Sequence, residues 1–198
     1  MQIKILDVGQ LQTNCYVVTD ENSLKCAVID PGAESSTILN YIEETGLTVA
    51  AIFITHGHFD HIGALGMLEK ETEAPVFIHA ADAAEVEKIA NVRTYKDGDK
   101  ISVGALTFEV IETPGHTPGG VCLKVQDALF TGDTLFRDSC GRTDMPGGDM
   151  DTLLRSLRKL YNLSGDYEVY PGHDIHSTLN WERQQNYYMK YATEVFRD

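Results

Sequence analysis

The chain has 198 residues, 42% of them hydrophobic, and 30 Asp and Glu against 16 Lys and Arg give it a net charge of −14. That length is within single-domain range and sufficient for a substantial core, so one domain over residues 1–198 is expected. The acidic balance argues against a nucleic-acid partner, whose phosphates call for clustered Lys and Arg, and no run approaches the ~20 apolar residues of a membrane span.

The start, Met1-Gln2-Ile3-Lys4-Ile5, lacks the charged-then-apolar layout of a signal peptide. Four cysteines (Cys15, Cys26, Cys122, Cys140) are scattered without any Cys-x-x-Cys pair, which with that start points to a reducing cytoplasm. Strands are expected near Ile3–Leu6, Asn14–Thr19 and Lys25–Asp30, then a helix over Glu34–Glu44, with Ser35 as a candidate cap. The apolar run Val49–Ile54 reads as a buried strand and Ile62–Glu69 as a helix; Val76–Ile78 follows as a strand and Ala80–Lys88 as a helix. Lys96–Asp99 reads as a turn between strands, and Gly104–Glu112 as a strand running on to His116. Met150–Asn162, with Asp149 as a candidate cap, and Trp181–Phe196 complete the helices.

Between the strand at Val49–Ile54 and the helix at Ile62 lies Thr55-His56-Gly57-His58-Phe59-Asp60-His61, which packs three of the seven histidines into six residues. On a helix His56, His58 and Asp60 would diverge, because helical neighbours lie three or four apart. In an extended segment alternate residues share a face, so His56 and His58 can grip one ion. Asp60 and His61 are adjacent and must diverge, which suits a second ion. Three further candidates sit in Gly-rich turns: His116 in Thr-Pro-Gly-His, Asp133 in Thr-Gly-Asp-Thr and His173 in Tyr-Pro-Gly-His. These seven donors suffice for two ions sharing a ligand. A structural zinc is disfavoured, since such sites are cysteine-rich and closed with four ligands.

The phrases Thr55-His-Gly-His-Phe-Asp-His-Ile-Gly-Ala-Leu65, Thr113-Pro-Gly-His-Thr-Pro-Gly-Gly120, Gly132-Asp-Thr-Leu-Phe136 and Gly141-Arg-Thr-Asp-Met-Pro-Gly-Gly148 resemble the metallo-β-lactamase superfamily. Within it they are most similar to the short, single-domain, glyoxalase II-like hydrolases of bacteria. The resemblance runs from about Gly9 to about Glu182. It implies an α+β fold, a four-layer αββα sandwich with metals in a cleft at one edge of the two sheets. It implies that His56, His58 and His116 bind a first metal, that Asp60, His61 and His173 bind a second, and that Asp133 bridges them. Asp60 and Asp133 become the catalytic carboxylates, and the cofactors two divalent ions, zinc first, with iron or manganese also accepted by such donors.

The activity so implied is hydrolysis of a small-molecule thioester or ester, S-lactoylglutathione or similar, by water acidified between two dications. Asp at 133, where many true β-lactamases of the superfamily carry Cys, argues against antibiotic hydrolysis. The alternative is a mononuclear iron oxidoreductase resembling the persulfide dioxygenases, suggested by Cys140-Gly-Arg-Thr-Asp144. A non-catalytic scaffold would not need so complete a donor set. Neither a membrane nor a nucleic acid is an expected partner, and the oligomeric state is left open.

Other residues invite a role. Asp30 could orient a metal-binding histidine or simply form a turn before Pro31. His79 is expected to be packed or hydrogen-bonded in a structural role, and His176 to be solvated in its loop, with the pocket mouth as its competing place. By the resemblance Arg142 and Thr143 face the cleft, where Arg142 could bind a substrate carboxylate; an ion pair to Asp144 or Asp149 competes. Cys140 is expected to be a buried small residue. Full-length glyoxalase II enzymes carry a further helical domain that helps bind glutathione. Here about 25 residues follow His173, room for one terminal helix, and the Tyr-rich Asn186–Tyr191 is expected to serve helix packing.

Overall fold

A computed structural model describes residues 1–196. The first of two six-stranded sheets follows chain order: β1 (Gln2–Val8), β2 (Thr13–Asp20), β3 (Lys25–Ile29), β4 (Thr48–Phe53), β5 (Val76–His79) and β6 (Val92–Tyr95). It is antiparallel from β1 to β3 and parallel from β3 to β6. Parallel neighbours need crossovers. These are α1 (Ser35–Glu44), then α2 (Phe59–Ile62) with α3 (Leu65–Thr72), then a 3₁₀ turn at Ala80–Val86.

The second sheet begins with β7 (Lys100–Val103), β8 (Leu106–Glu112), β9 (Val121–Val125) and β10 (Ala128–Gly132). A ribbon of β11 (Leu135–Phe136) and β12 (Ser139–Cys140) and the helix α4 (Met150–Tyr161) precede β13 (Glu168–Pro171) and β14 (Ser177–Thr178). In space the order is β14-β13-β10-β9-β8-β7. Two helices follow, α5 (Leu179–Gln185) and α6 (Tyr187–Val195).

Three apolar clusters make this a four-layer αββα sandwich, as expected. Tyr16, Phe53, Phe108 and Phe130 fill the space between the sheets. Ile38 and Ile42 of α1 and Leu65 and Leu68 of α3 cover the outer face of the first sheet. Leu154, Leu157 and Leu160 of α4, with Met189 and Ala192 of α6, cover that of the second. Because β2 is covered on both sides it is buried throughout, Cys15 and Val17 facing helices and Tyr16 and Val18 facing the other sheet.

A bulge in β4 sets the face presented near the ligand loop. Cys26 pairs with Val49 but Ala27 pairs with Ala51, so Ala50 is extra and the alternation changes phase. After it Phe53 points between the sheets while Ile52 and Ile54 point to the helices.

The structure departs from the sequence expectations in the helices. Ala80–Lys88 is a 3₁₀ turn ending at Val86, with His79 as its N-cap. Ser35 is the first residue of α1, whose N-cap position is Glu34 without a side-chain cap hydrogen bond, whereas Asp149 does cap α4 by accepting from Thr152 N–H at 2.8 Å. The segment after His173 holds two helices, not one. Asn186 breaks them, because its amide donates to the Phe136 and Ser139 carbonyls and to Glu182 while its oxygen caps Met189.

Candidate metal centre

The donors converge at one end of the sandwich, beyond the strand ends. His56 follows β4, His116 follows β8, Asp133 follows β10 and His173 follows β13, while Asp60 and His61 lie on the single turn of α2. His58 is still extended (φ −68°, ψ 146°) and caps that turn. The extended reading therefore holds for His58, whereas His56 lies in a bend, and the chain coils from Phe59, with Asp60 and His61 successive on that turn.

All seven expected donors are brought together. Three groups each have ligand atoms within 4.8 Å of one another: His56, His58 and His116; Asp60, His61 and His173; and His56, His61 and Asp133. The third group puts Asp133 between the other two.

Hydrogen bonds on the far side of the rings decide which nitrogens face inward. His61 Nδ1–H donates to Asp30 Oδ2 at 2.9 Å, His116 Nδ1–H to the Arg142 carbonyl at 2.7 Å, and His173 Nδ1–H to the Leu11 carbonyl at 3.1 Å. Thr55 Oγ1–H donates to Asp30 Oδ2 at 2.6 Å, so the same hydroxyl accepts from His56 Nδ1–H at 3.2 Å. Four imidazoles thus turn Nε2 inward, while His58 turns Nδ1 inward, 2.8 Å from His116 Nε2.

Asp30 is a carboxylate that orients a ring, fully buried at φ 50° and also accepting from Thr55 N–H at 2.8 Å. Its left-handed backbone makes it a turn residue as well.

Two buried atoms in the cluster, His56 Nε2 and Asp133 Oδ1, have no hydrogen-bond partner. Leaving such groups unpaired costs on the order of 1–3 kcal/mol each, so their convergence fits a cation. Electrostatics agree. Burial works against a charged His61, but Asp30, Asp133 and Asp60 outweigh it and push its pKa up to about 9. His173 is raised by its hydrogen bond to Asp60. Burial raises the Asp60 carboxyl, yet His173 and His61 prevail and bring it to about 2. His56 is held well below the usual imidazole range by burial and by the neighbouring rings. The carboxylates draw positive charge to the centre.

Asp82, on the 3₁₀ turn, supports the site although no motif marks it in the sequence. Its buried carboxylate accepts from Gly57 N–H at 2.9 Å, Thr117 Oγ1–H at 2.7 Å and Gly119 N–H at 2.8 Å. One side chain thus ties the His56–His58 loop to the His116 loop. Only the lone acid within Ala80-Ala81-Asp82-Ala83-Ala84 hinted at it.

A cavity of about 510 Å³ opens over the donors, walled by Leu11, Phe59, Phe136, Cys140, Arg142 and Met145. Arg142 stands at this wall, but its exposed guanidinium grips Asp144 through two hydrogen bonds of 2.6 and 2.8 Å, the ion pair foreseen as the competing role. Thr143 is half-buried and outside that wall. Cys140 is half-buried at the cavity rather than fully buried, and burial pushes its thiol up to about 11. His79 accepts from Ala81 N–H and pairs with Glu112 at 3.0 Å. His176 is exposed and stacks on Tyr170. On α6, Tyr188 packs against the outer core while Tyr187 and Tyr191 stack on each other at the surface.

The family model for the Metallo-beta-lactamase superfamily matches residues 8–173. The chain belongs to the metallo-β-lactamase superfamily. It is 37% identical to the probable metallo-hydrolase YqgX of Bacillus subtilis over 94% of this chain and 96% of that protein. It is 32% identical to the hydroxyacylglutathione hydrolase GloC of Haemophilus influenzae, over 94% and 97%. Among solved structures, TTHA1623 in a di-iron-bound form superposes with a TM-score of 0.84 at 35% identity, covering 93% of this chain and 99% of that one. Superfamily membership and the His/Asp clusters make the chain a metal-dependent enzyme of the hydrolase type or a close relative of one. Among the described residues, no helix is long and apolar enough to cross a membrane.

Proposed function

We propose that the protein is a two-metal hydrolase of a small thioester or ester, glyoxalase II-like in its chemistry. The observation that carries this is the convergence of five imidazoles and two carboxylates on a point where two buried acceptors lack a partner. His56, His58 and His116 would hold one divalent ion, Asp60, His61 and His173 the other, with Asp133 shared. Zinc, iron or manganese suits such donors; the di-iron relative supports iron as readily as zinc. When bound, two such ions would acidify water to a nucleophile near neutral pH and polarise an acyl carbonyl.

The chain's own residues then have definite tasks. The Asp30 carboxylate and the Leu11 and Arg142 carbonyls hold Nδ1 protons, keeping Nε2 of His61, His173 and His116 turned inward. Thr13 Oγ1–H donates to Asp60 Oδ2 at 3.3 Å and fixes that carboxylate. Leu11, Phe136 and Met145 shield the reacting end of the substrate from bulk water. Four free thiols, three of them buried, support a cytoplasmic setting.

The test is hydrolysis of S-D-lactoylglutathione and simple thioesters by protein loaded with metal, alongside a count of bound ions. Two ions per chain and turnover abolished in Asp133→Ala are expected. One iron per chain with oxygen uptake would favour the persulfide dioxygenase-like reading. Full metal content and normal turnover in Asp133→Ala would refute the assignment.

A further inference from the structure

We propose that the enzyme selects an uncharged, aliphatic acyl chain, received by a second cavity beside the metal centre; this rests on the thioester reading. That cavity is about 370 Å³ and is walled by Val8, Gln10, Leu11, Ala33 and Phe59. It shares Leu11, Phe59 and Asp60 with the cavity over the donors. An acyl carbonyl held near Asp60 therefore has its chain led across Leu11 and Phe59 into an apolar recess.

Three observations favour an aliphatic occupant. Leu11 is 54% exposed and Phe59 69% exposed, two large apolar side chains at a shared rim whose contact with water a hydrocarbon chain would relieve. Charge selects in the same direction. Among the described residues lining the two cavities Arg142 is the sole Lys or Arg, and Asp144 already holds its guanidinium at two points. Apart from the ions at the donor cluster, an anionic chain end in the second cavity would find no cation, would lie beside the Asp60 carboxylate and would enter a protein of net charge −14. Side-chain donors for a polar chain are also few in the second cavity, since Thr13 Oγ1–H is committed to Asp60 and the exposed Gln10 amide is left as the other uncharged polar side chain.

The experiment compares acetyl, butyryl, hexanoyl and succinyl thioesters of N-acetylcysteamine, an uncharged carrier, with metal-loaded protein. At about fourfold per buried methylene, kcat/KM is expected to rise at least tenfold from acetyl to hexanoyl, with succinyl below butyryl. Ala33→Phe, which fills the second cavity, is expected to erase that rise by lowering hexanoyl turnover far more than acetyl turnover. Leu11→Ser, which alters an exposed side chain, should lower hexanoyl more than acetyl. Calorimetry with the uncleavable S-hexyl thioether reads binding without chemistry, and the wild type should bind it more tightly than Ala33→Phe. A flat chain-length profile with active enzyme, or one unchanged in both variants, overturns the proposal and leaves the thioester reading standing. No cleavage of any thioester by protein carrying two ions overturns both.

Discussion

Asp30 and His61 meet at 2.9 Å with both side chains fully buried, so a carboxylate at the end of β3 fixes an imidazole on α2. Through Thr55 Oγ1 the same carboxylate also reaches His56, which makes it a common support for both donor groups. Asp30→Asn keeps the shape but forfeits the charge that favours Nδ1–H on His61. Supporting carboxylates of this kind are worth about 10–100-fold in metal affinity. Chelator competition should show a loss of that size, with circular dichroism unchanged. Wild-type affinity in Asp30→Asn would reduce Asp30 to a turn residue.

Asp82 makes the complementary link, from the His56–His58 loop to the His116 loop. Asp82→Ala strands two buried N–H groups and a hydroxyl, each costing on the order of 1–3 kcal/mol if left unpaired. The expected result is a lower Tm together with weakened binding of the ion assigned to His56, His58 and His116. Asp82→Asn, which retains an acceptor, should recover part of the Tm. A variant with wild-type Tm and two full metal sites would show that the loops hold their places alone.

The donor cluster was legible in sequence because it is local. His56, His58, Asp60 and His61 lie within one loop, and His116, Asp133 and His173 announce themselves in Gly-rich turns after apolar runs. Asp82 was not, since its partners lie 25 to 37 residues away and nothing near it in the chain records them. The β4 bulge was equally hidden, because Val49 to Ile54 is apolar on both faces and carries no phase. The Ala-rich Ala80–Lys88 reads as helix by propensity, but the ties Asp82 makes hold it as a 3₁₀ turn. Helical periodicity continues across Asn186, and only the Phe136 and Ser139 carbonyls on the ribbon reveal why the helix stops there.

Arg142 is held by Asp144 in an exposed pair, while its backbone carbonyl is what serves His116. Arg142→Ala keeps that carbonyl. It should leave metal content and Tm unchanged and shift KM for an uncharged thioester by less than about twofold, since exposed pairs contribute little. A large rise in KM with kcat intact would return the guanidinium to substrate binding.

Gly172 precedes His173 where a Cβ would overlap Asp133 Oδ1 and sit 2.7 Å from His61 Cε1. Neither neighbour can give way, as His61 is fully buried and Asp133 is hemmed in by His116 and His173. Gly172→Ala should cut kcat by at least tenfold and reduce metal stoichiometry, because a misplaced ligand is costly even at sub-ångström scale. Kinetics and metal analysis on the same preparation check this. Unimpaired turnover with two ions bound would mean that the cluster tolerates far more displacement than its packing suggests.

The pH dependence of the metal-stripped protein follows from His61. Asp30, Asp133 and Asp60 overcome burial and raise its pKa from 6.5 to about 9. The folded state therefore holds a proton that the unfolded chain releases near 6.5, and stability falls with rising pH wherever the fold binds more protons than the unfolded chain. This contribution is complete below pH 6.5 and is lost as pH climbs from 6.5 through about 9. Metal must displace the same proton, so loading should release protons and bind more weakly at low pH. Thermal melts from pH 6 to 10 should show the stripped protein losing Tm across that window, with the loaded protein showing no such fall there. Equal slopes in both preparations would mean that His61 is neutral without metal and that the carboxylates around it are compensated by other means.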